Sequence, residues 1–192
     1  EIKFDYLAEA LPYPMDTITR GWGAIGTQAG AAKVVPFVED MNREIISVKG
    51  LKSGTYGLYI DGEECGDFDA KELAEGVNLA VIDRTPQYQQ ALAVMHLNEI
   101  RWEVERKFRE IAWVQWGFLQ PYGLAEAFDR RAIEAIDSEK EKNGWVNAQR
   151  GNYSTMMYEA VRDARNEQMK VLIDKIYEVN KPQVRKIELR QR

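Results

Sequence analysis

Between Glu44 and Asp83 apolar and polar residues alternate between glycine turns; after Thr85 the apolar period changes from two to about 3.6. That change divides the chain more firmly than anything else in it. Ile46 and Val48 share one face, and Gly50 and Gly54 bracket a turn at Leu51–Ser53. Tyr56, Leu58 and Ile60 then alternate toward Asp61-Gly62, a hairpin pair in which both positions tolerate positive φ. The returning strand is Glu63–Phe68. Asp69 and Glu72 have capping-box spacing, and Gly76 suits the end of one short helix. Val77–Ile82 reads as one more strand, which makes the block a small antiparallel β unit.

Thr85 is a good N-cap, and Pro86 occupies the first helical position, where its missing N–H costs nothing. Val94, Leu97, Val104, Phe108, Ile111 and Val114 recur at helical steps, so a helix is expected to about Leu119. Such a helix spans roughly 50 Å and must project, bend or lie along a partner surface. A shorter helix is expected over Leu124–Ile136, then a solvated link through Glu139–Lys142 and Asn143-Gly144. The last long helix is expected from Tyr153 to about Asn180, with Met157, Val161, Ala164, Leu172 and Ile176 inward, ending at Pro182. The tail Val184–Leu189 leaves room for a returning edge strand. The expected fold class is α+β: a small antiparallel β unit followed by long antiparallel helices as a hairpin or bundle. The division is 1–83, a wrapping segment plus β unit, and 84–192, a helical region with that C-terminal edge strand.

The first 36 residues are rich in Gly, Ala and Pro and suit a segment wrapping a neighbouring surface. A phosphate loop in GWGAIGTQAGAAK lacks both the GK[ST] ending and a preceding apolar strand. The opening residues lack the pattern of a signal peptide and no Met precedes them, so a mature or excised piece is expected. No apolar run approaches the roughly 20 residues of a membrane span. Residues 1–83 carry a charge of −8 and residues 84–192 carry +3. An acidic front argues against nucleic acid. The basic tail Lys181–Arg192 is short and interrupted by apolar residues, as in a solvated strand or helix end.

Chemistry-bearing residues are few. The single cysteine, Cys65, excludes an intrachain disulfide and a multi-cysteine zinc site, and it lies among turn residues with no base nearby. His96 is the only histidine, so a catalytic triad within this chain must use it. It lies mid-helix beside the apolar stripe, where a packed or half-exposed histidine is the ordinary case. Glu99 and Glu103 share a helix face near it, but without a second histidine no metal site is expected, and no cofactor is called for. Ser47, Ser53, Ser138 and Ser154 have strand, turn or capping settings rather than that of a nucleophile. Asn152-Tyr153-Ser154 matches a glycosylation sequon, a weak signal by itself. Trp102, Trp113, Trp116, Phe118 and Tyr122 gather toward the end of the first long helix. They fit the packing of a junction or interface, and Trp102, Trp113, Trp116 and Tyr122 are also candidates to stack on sugar rings or anchor a partner.

LPYPMD (11–16), VVPFVEDMNRE (34–44), VKGLKSGTYGLYIDGEECGDF (48–68) and KELAEGVNLA (71–80) resemble the C-terminal portion of bacterial SGNH/GDSL-type ester hydrolases. The likeness covers about 4–83. Over the helices it rests on the Thr-Pro start of Thr85–Ala91 and on Asn180–Pro182. The resemblance implies a flavodoxin-like hydrolase domain elsewhere in a complete, exported protein, periplasmic or secreted. The family's Gly-Asp-Ser block and late Asp-x-x-His do not occur here: Phe68 follows Gly66-Asp67, and no Asp stands three residues before His96. What it carries over is architecture and context.

Three functions follow. The first is an accessory module of an acyl or carbohydrate esterase, silent alone, which packs on a hydrolase domain or pairs with a second copy of itself. The second is a carbohydrate- or protein-binding module that uses the Trp/Tyr cluster. The third is a self-contained hydrolase that uses His96.

Overall fold

A computed structural model describes residues 1–18, 25–139 and 141–192. Residues 21–24 of the weighed phosphate loop, and Lys140 in the expected link, lie outside the described residues. In order the chain forms β1 (Ile2–Tyr6), single-turn helices α1 (Gln28–Ala31) and α2 (Phe37–Asp40), β2 (Ile45–Ile46), β3 (Thr55–Ile60), β4 (Glu63–Asp69), α3 (Ala70–Glu75) and β5 (Val77–Asn78). There follow α4 (Pro86–Val114), α5 (Arg130–Glu139), α6 (Gly144–Met156), α7 (Glu159–Val179) and β6 (Arg185–Gln191). The fold is α+β, in two compact units: Glu1–Met95 with Tyr177–Arg192, and His96–Ile176.

The first unit is built on a four-stranded antiparallel sheet ordered β1-β6-β3-β4. Tyr56, Leu58 and Ile60 pack with Ile187, Leu189, Ile46, Leu73 and Leu79 in its core, as the alternation of β3 requires. Asp61 (φ 53°) and Gly62 (φ 88°) form the turn from β3 to β4. Cys65 is the extra residue of a bulge in β4, opposite the step from Leu58 to Tyr59. The capping box forms: Asp69 Oδ1 accepts from the N–H of Lys71 and Glu72, each at 2.8 Å, and Glu72 Oε2 accepts from the N–H of Asp69 at 2.7 Å.

Two strand expectations are corrected. Arg185–Gln191 is an interior strand rather than an edge, because β1 and β3 pair on its two sides. One edge is β1, formed by the segment expected only to wrap, and the other is β4. Val77–Ile82 is a strand only at Val77–Asn78, paired with β2, and Leu79–Val81 is a 3₁₀ turn. Asn78 bends the chain there: its Oδ1 accepts from Glu44 N–H at 2.9 Å and Ala80 N–H at 3.2 Å, and its Nδ2 donates to Asn42 O at 2.9 Å.

Thr85 is fully buried and its Oγ1 accepts from the N–H of Tyr88 at 3.3 Å, so α4 begins where expected. It continues through a π-helical turn, Gln115–Leu119, so helical backbone extends to the expected end. In the second unit Ile111, Val114, Leu119, Ile136, Val146, Tyr153 and Met156 form the core. The helix expected over Leu124–Ile136 starts only at Arg130, and Leu124 and Ala127 occupy the preceding turns. The helix expected from Tyr153 to Asn180 is two helices that break at Met157–Tyr158. Arg162 stabilises the break: Nη1 donates to the carbonyls of Met156 and Met157 at 2.8 Å each, and its guanidinium lies 4.0 Å from the Phe128 ring centre. Against expectation, α7 has no fully buried residue, and Ala164 is exposed. No helix of the described residues is long and apolar enough to cross a membrane.

Candidate functional site

His96 is exposed on α4, and its Nδ1 lies 3.2 Å from Glu99 Oε2. This contact is one helical turn long and brings in no nucleophile. Three of the serines donate to main-chain carbonyls: Ser47 Oγ to Ala74 O (3.1 Å), Ser138 Oγ to Ala135 O (2.7 Å) and Ser154 Oγ to Arg150 O (2.9 Å). Asp67, in the fragment that resembles a Gly-Asp-Ser block, accepts from Arg192 Nε at 2.8 Å. Cys65 is buried, and burial pushes its thiol up and away from the reactive thiolate. Among the described residues no group of three His, Cys, Asp or Glu side chains could hold a metal ion.

Steps of seven, four and three residues place Trp102, Arg109, Trp113 and Trp116 in one row that runs from α4 into the π-helical turn. Trp102 and Trp113 are each 43% exposed and Trp116 is 56% exposed. The Arg109 guanidinium lies 4.8 Å from the centre of the Trp102 ring and 3.0 Å from Glu105. Tyr122, 51% exposed, lies after the turn and meets Phe118 at 5.4 Å. The aromatics thus show about half of their area to solvent rather than filling a core. The row carries apolar faces and a cation, which is binding chemistry and not acid–base chemistry.

The three arginines of the basic tail are engaged with the sheet and with the start of α4. Arg190 Nη2 donates to Glu188 at 2.6 Å, and its guanidinium covers the Tyr59 ring at 4.2 Å. Arg192 pairs with Asp67 and Glu64. Arg185 Nη1 donates to Asp61 Oδ2 at 2.9 Å and its Nη2 to Gln90 Oε1 at 2.7 Å. Gln90 Nε2 in turn donates to the carbonyls of Val179 and Lys181, both at 2.7 Å. The two helical fragments quoted for the family likeness, Thr85–Ala91 and Asn180–Pro182, therefore meet through one glutamine.

A polar cluster that the sequence did not single out lies beside this clamp. Glu44 Oε1 accepts from Gln87 Nε2 at 3.0 Å, and Gln87 is only 2% exposed. Burial pushes the Glu44 carboxyl up from the usual carboxylate range. Burial, with Glu44 and Glu9 nearby, pushes the Tyr6 hydroxyl up as well. Glu44 borders a pocket of about 480 Å³ between Tyr6–Pro12 and Met41–Ile45. No single-sequence signal marks such a group, because the bond from Gln87 to Glu44 spans 43 residues of chain.

With this geometry in view, residues 92–181 match the family model described as the diltiazem deacetylase C-terminal helical domain. A comparison with curated proteins gives no match. Among solved structures the chain is similar to a gut microbial diltiazem-metabolizing enzyme, at 59% sequence identity and a TM-score of 0.92. The likeness covers 99% of this chain and 43% of that one, so the chain spans less than half the length of the enzyme it matches. In sequence and fold alike, it is similar to one portion of a larger diltiazem-metabolizing enzyme.

Proposed function

We propose that this chain is the C-terminal accessory module of an ester hydrolase of the SGNH type that removes acetyl groups, and that the module does no catalysis alone. The observation that carries the reading is 59% identity over 99% of the chain to 43% of a diltiazem-metabolizing enzyme. The deacetylase family model over 92–181 supports the acetyl ester as the bond broken. The resemblance of segments 11–16, 34–44, 48–68 and 71–80 to SGNH-type hydrolases supports the SGNH assignment, with the nucleophile and base supplied from outside this chain. The module acts by packing on the hydrolase domain and shaping access to its site.

A second reading has a specific observation behind it. The half-exposed row of Trp102, Trp113 and Trp116 beside Arg109 is suited to stacking on a sugar or on a partner's apolar side chain. The test has two arms. The isolated chain is assayed on aryl acetates and on diltiazem, with His96→Ala as control; no turnover by either is expected. Turnover that disappears in His96→Ala overturns the accessory reading. Tryptophan fluorescence titrated with oligosaccharides checks the second reading, and an unchanged spectrum removes it for sugars.

A further inference from the structure

The Glu44–Gln87 contact leaves an unusual remainder. Among the described residues Glu44 Oε2 and Gln87 Oε1 are both sealed from solvent and both lack a hydrogen-bond partner. Two buried acceptors without a donor are costly, and an ionised carboxylate makes the cost greater. One proton removes both deficits. Placed on Glu44 Oε2 and donated to Gln87 Oε1, it supplies the second arm of a carboxylic acid–amide pair whose first arm is the 3.0 Å bond from Gln87 Nε2 to Glu44 Oε1.

We propose that Glu44 is protonated in the folded protein as half of this acid–amide pair, and that the pair is a pH-sensitive latch holding the Met41–Ile45 segment to the first turn of α4.

The surroundings decide how it responds. The Tyr6 hydroxyl faces the carboxyl from β1, without completing a normal hydrogen bond to Oε2, and Glu9 lies near Tyr6. Gln87 and Tyr6 as donors, and from β6 the charge of Arg185, favour ionisation, and among the described residues Arg185 Nε is also sealed and without a partner. The other two guanidinium nitrogens of Arg185 donate to Asp61 and Gln90. Asn78 holds the Glu44 main-chain N–H at 2.9 Å, which fixes the side chain's origin. Burial is the largest influence on the carboxyl and favours the neutral form. On ionisation the carboxylate loses the second arm and takes up water from the adjoining pocket, which frees the Tyr6–Pro12 and Met41–Ile45 rims.

The sign follows from linkage. A carboxyl that holds its proton more tightly when folded contributes stability that is full below the unfolded value of about 4.3 and is lost as pH rises through the folded value. The test follows the Glu44 carboxyl carbon by NMR across a pH titration of the full chain. It also compares melting temperatures of the native protein and Glu44→Gln from pH 4 to 8. The amide introduced by Glu44→Gln reproduces both arms of the pair without a titrating proton. Titration of Glu44 above the ordinary glutamate value is expected, as is a melting-temperature difference in favour of the variant that widens with pH. Titration at or below the ordinary value, as when Arg185 Nε holds an ionised Oε2, overturns the latch, and so do parallel melting curves. If Glu44→Gln does not fold, the native titration alone decides.

Discussion

At the scale of single residues, backbone geometry and buried hydrogen bonds leave few alternatives. Gly76 has φ +114°, and a Cβ built on it stands 2.8 Å from Ile45 Cγ2, so both torsion and space exclude a side chain. Gly76→Ala is expected to cost about 1–3 kcal/mol in urea unfolding, the range for a strained backbone position. The Tyr153 hydroxyl donates to Ala127 O at 2.7 Å inside the helical core. Tyr153→Phe leaves that carbonyl unpaired, and a loss of about 1–3 kcal/mol is expected by the same measurement. Gly76 was legible in the sequence, because a glycine soon after a capping box implies a helix end. The partner of Tyr153 was not legible, since it lies 26 residues away and is a main-chain atom of a turn.

Among the elements, the helix break and the tail strand separate local from distant causes. Arg162 bonds the last carbonyls of α6 and stacks on Phe128. Arg162→Met keeps the stem and removes the donors; loss of about 1–2 kcal/mol and some loss of helical ellipticity are expected. The break escaped sequence reading because the apolar steps continue across Met157 and no Gly or Pro interrupts them. In β6, Ile187 and Leu189 face the core while Glu188 and Arg190 face the other way, so alternation marked a strand. Its interior place is invisible locally, because it is set by pairing with β1 nearly the whole chain length away. Ile2, Phe4 and Tyr6 also alternate with Lys3 and Asp5, a signal overshadowed by the glycine-rich stretch that follows. Deleting residues 185–192 leaves β1 without a neighbour. Circular dichroism is then expected to report loss of the sheet, with Ile187 and Leu189 gone from the core.

On the scale of the whole molecule, the proposed accessory role makes function depend on what the chain presents to a partner. On the accessory reading, His96→Ala is expected to leave both folding and the activity of the proposed complete enzyme within about twofold, because the residue is exposed and its bond is to Glu99 on the next turn. Kinetics on the intact enzyme check this, and a hundredfold loss places His96 in the reaction. If the chain packs on a hydrolase portion as proposed, replacing Trp113 and Trp116 by Ala is expected to weaken that packing while leaving the melting temperature of the isolated chain within a few degrees. Analytical ultracentrifugation of the separated parts measures the first effect and differential scanning calorimetry the second.

The sequence by itself determined the α+β class, the hairpin at Asp61-Gly62, the capped helix after Asp69 and the start of α4 at Thr85-Pro86. Each depends on backbone preferences and side-chain bonds within a few residues. Only the tertiary structure decided that the tail is an interior strand, that the last helical stretch breaks at Met157, that the tryptophans stand half exposed, and that one carboxyl oxygen of Glu44 is sealed beside Gln87. Those outcomes depend on which distant segments come to lie side by side, and burial then changes the energy of groups that look ordinary in the sequence.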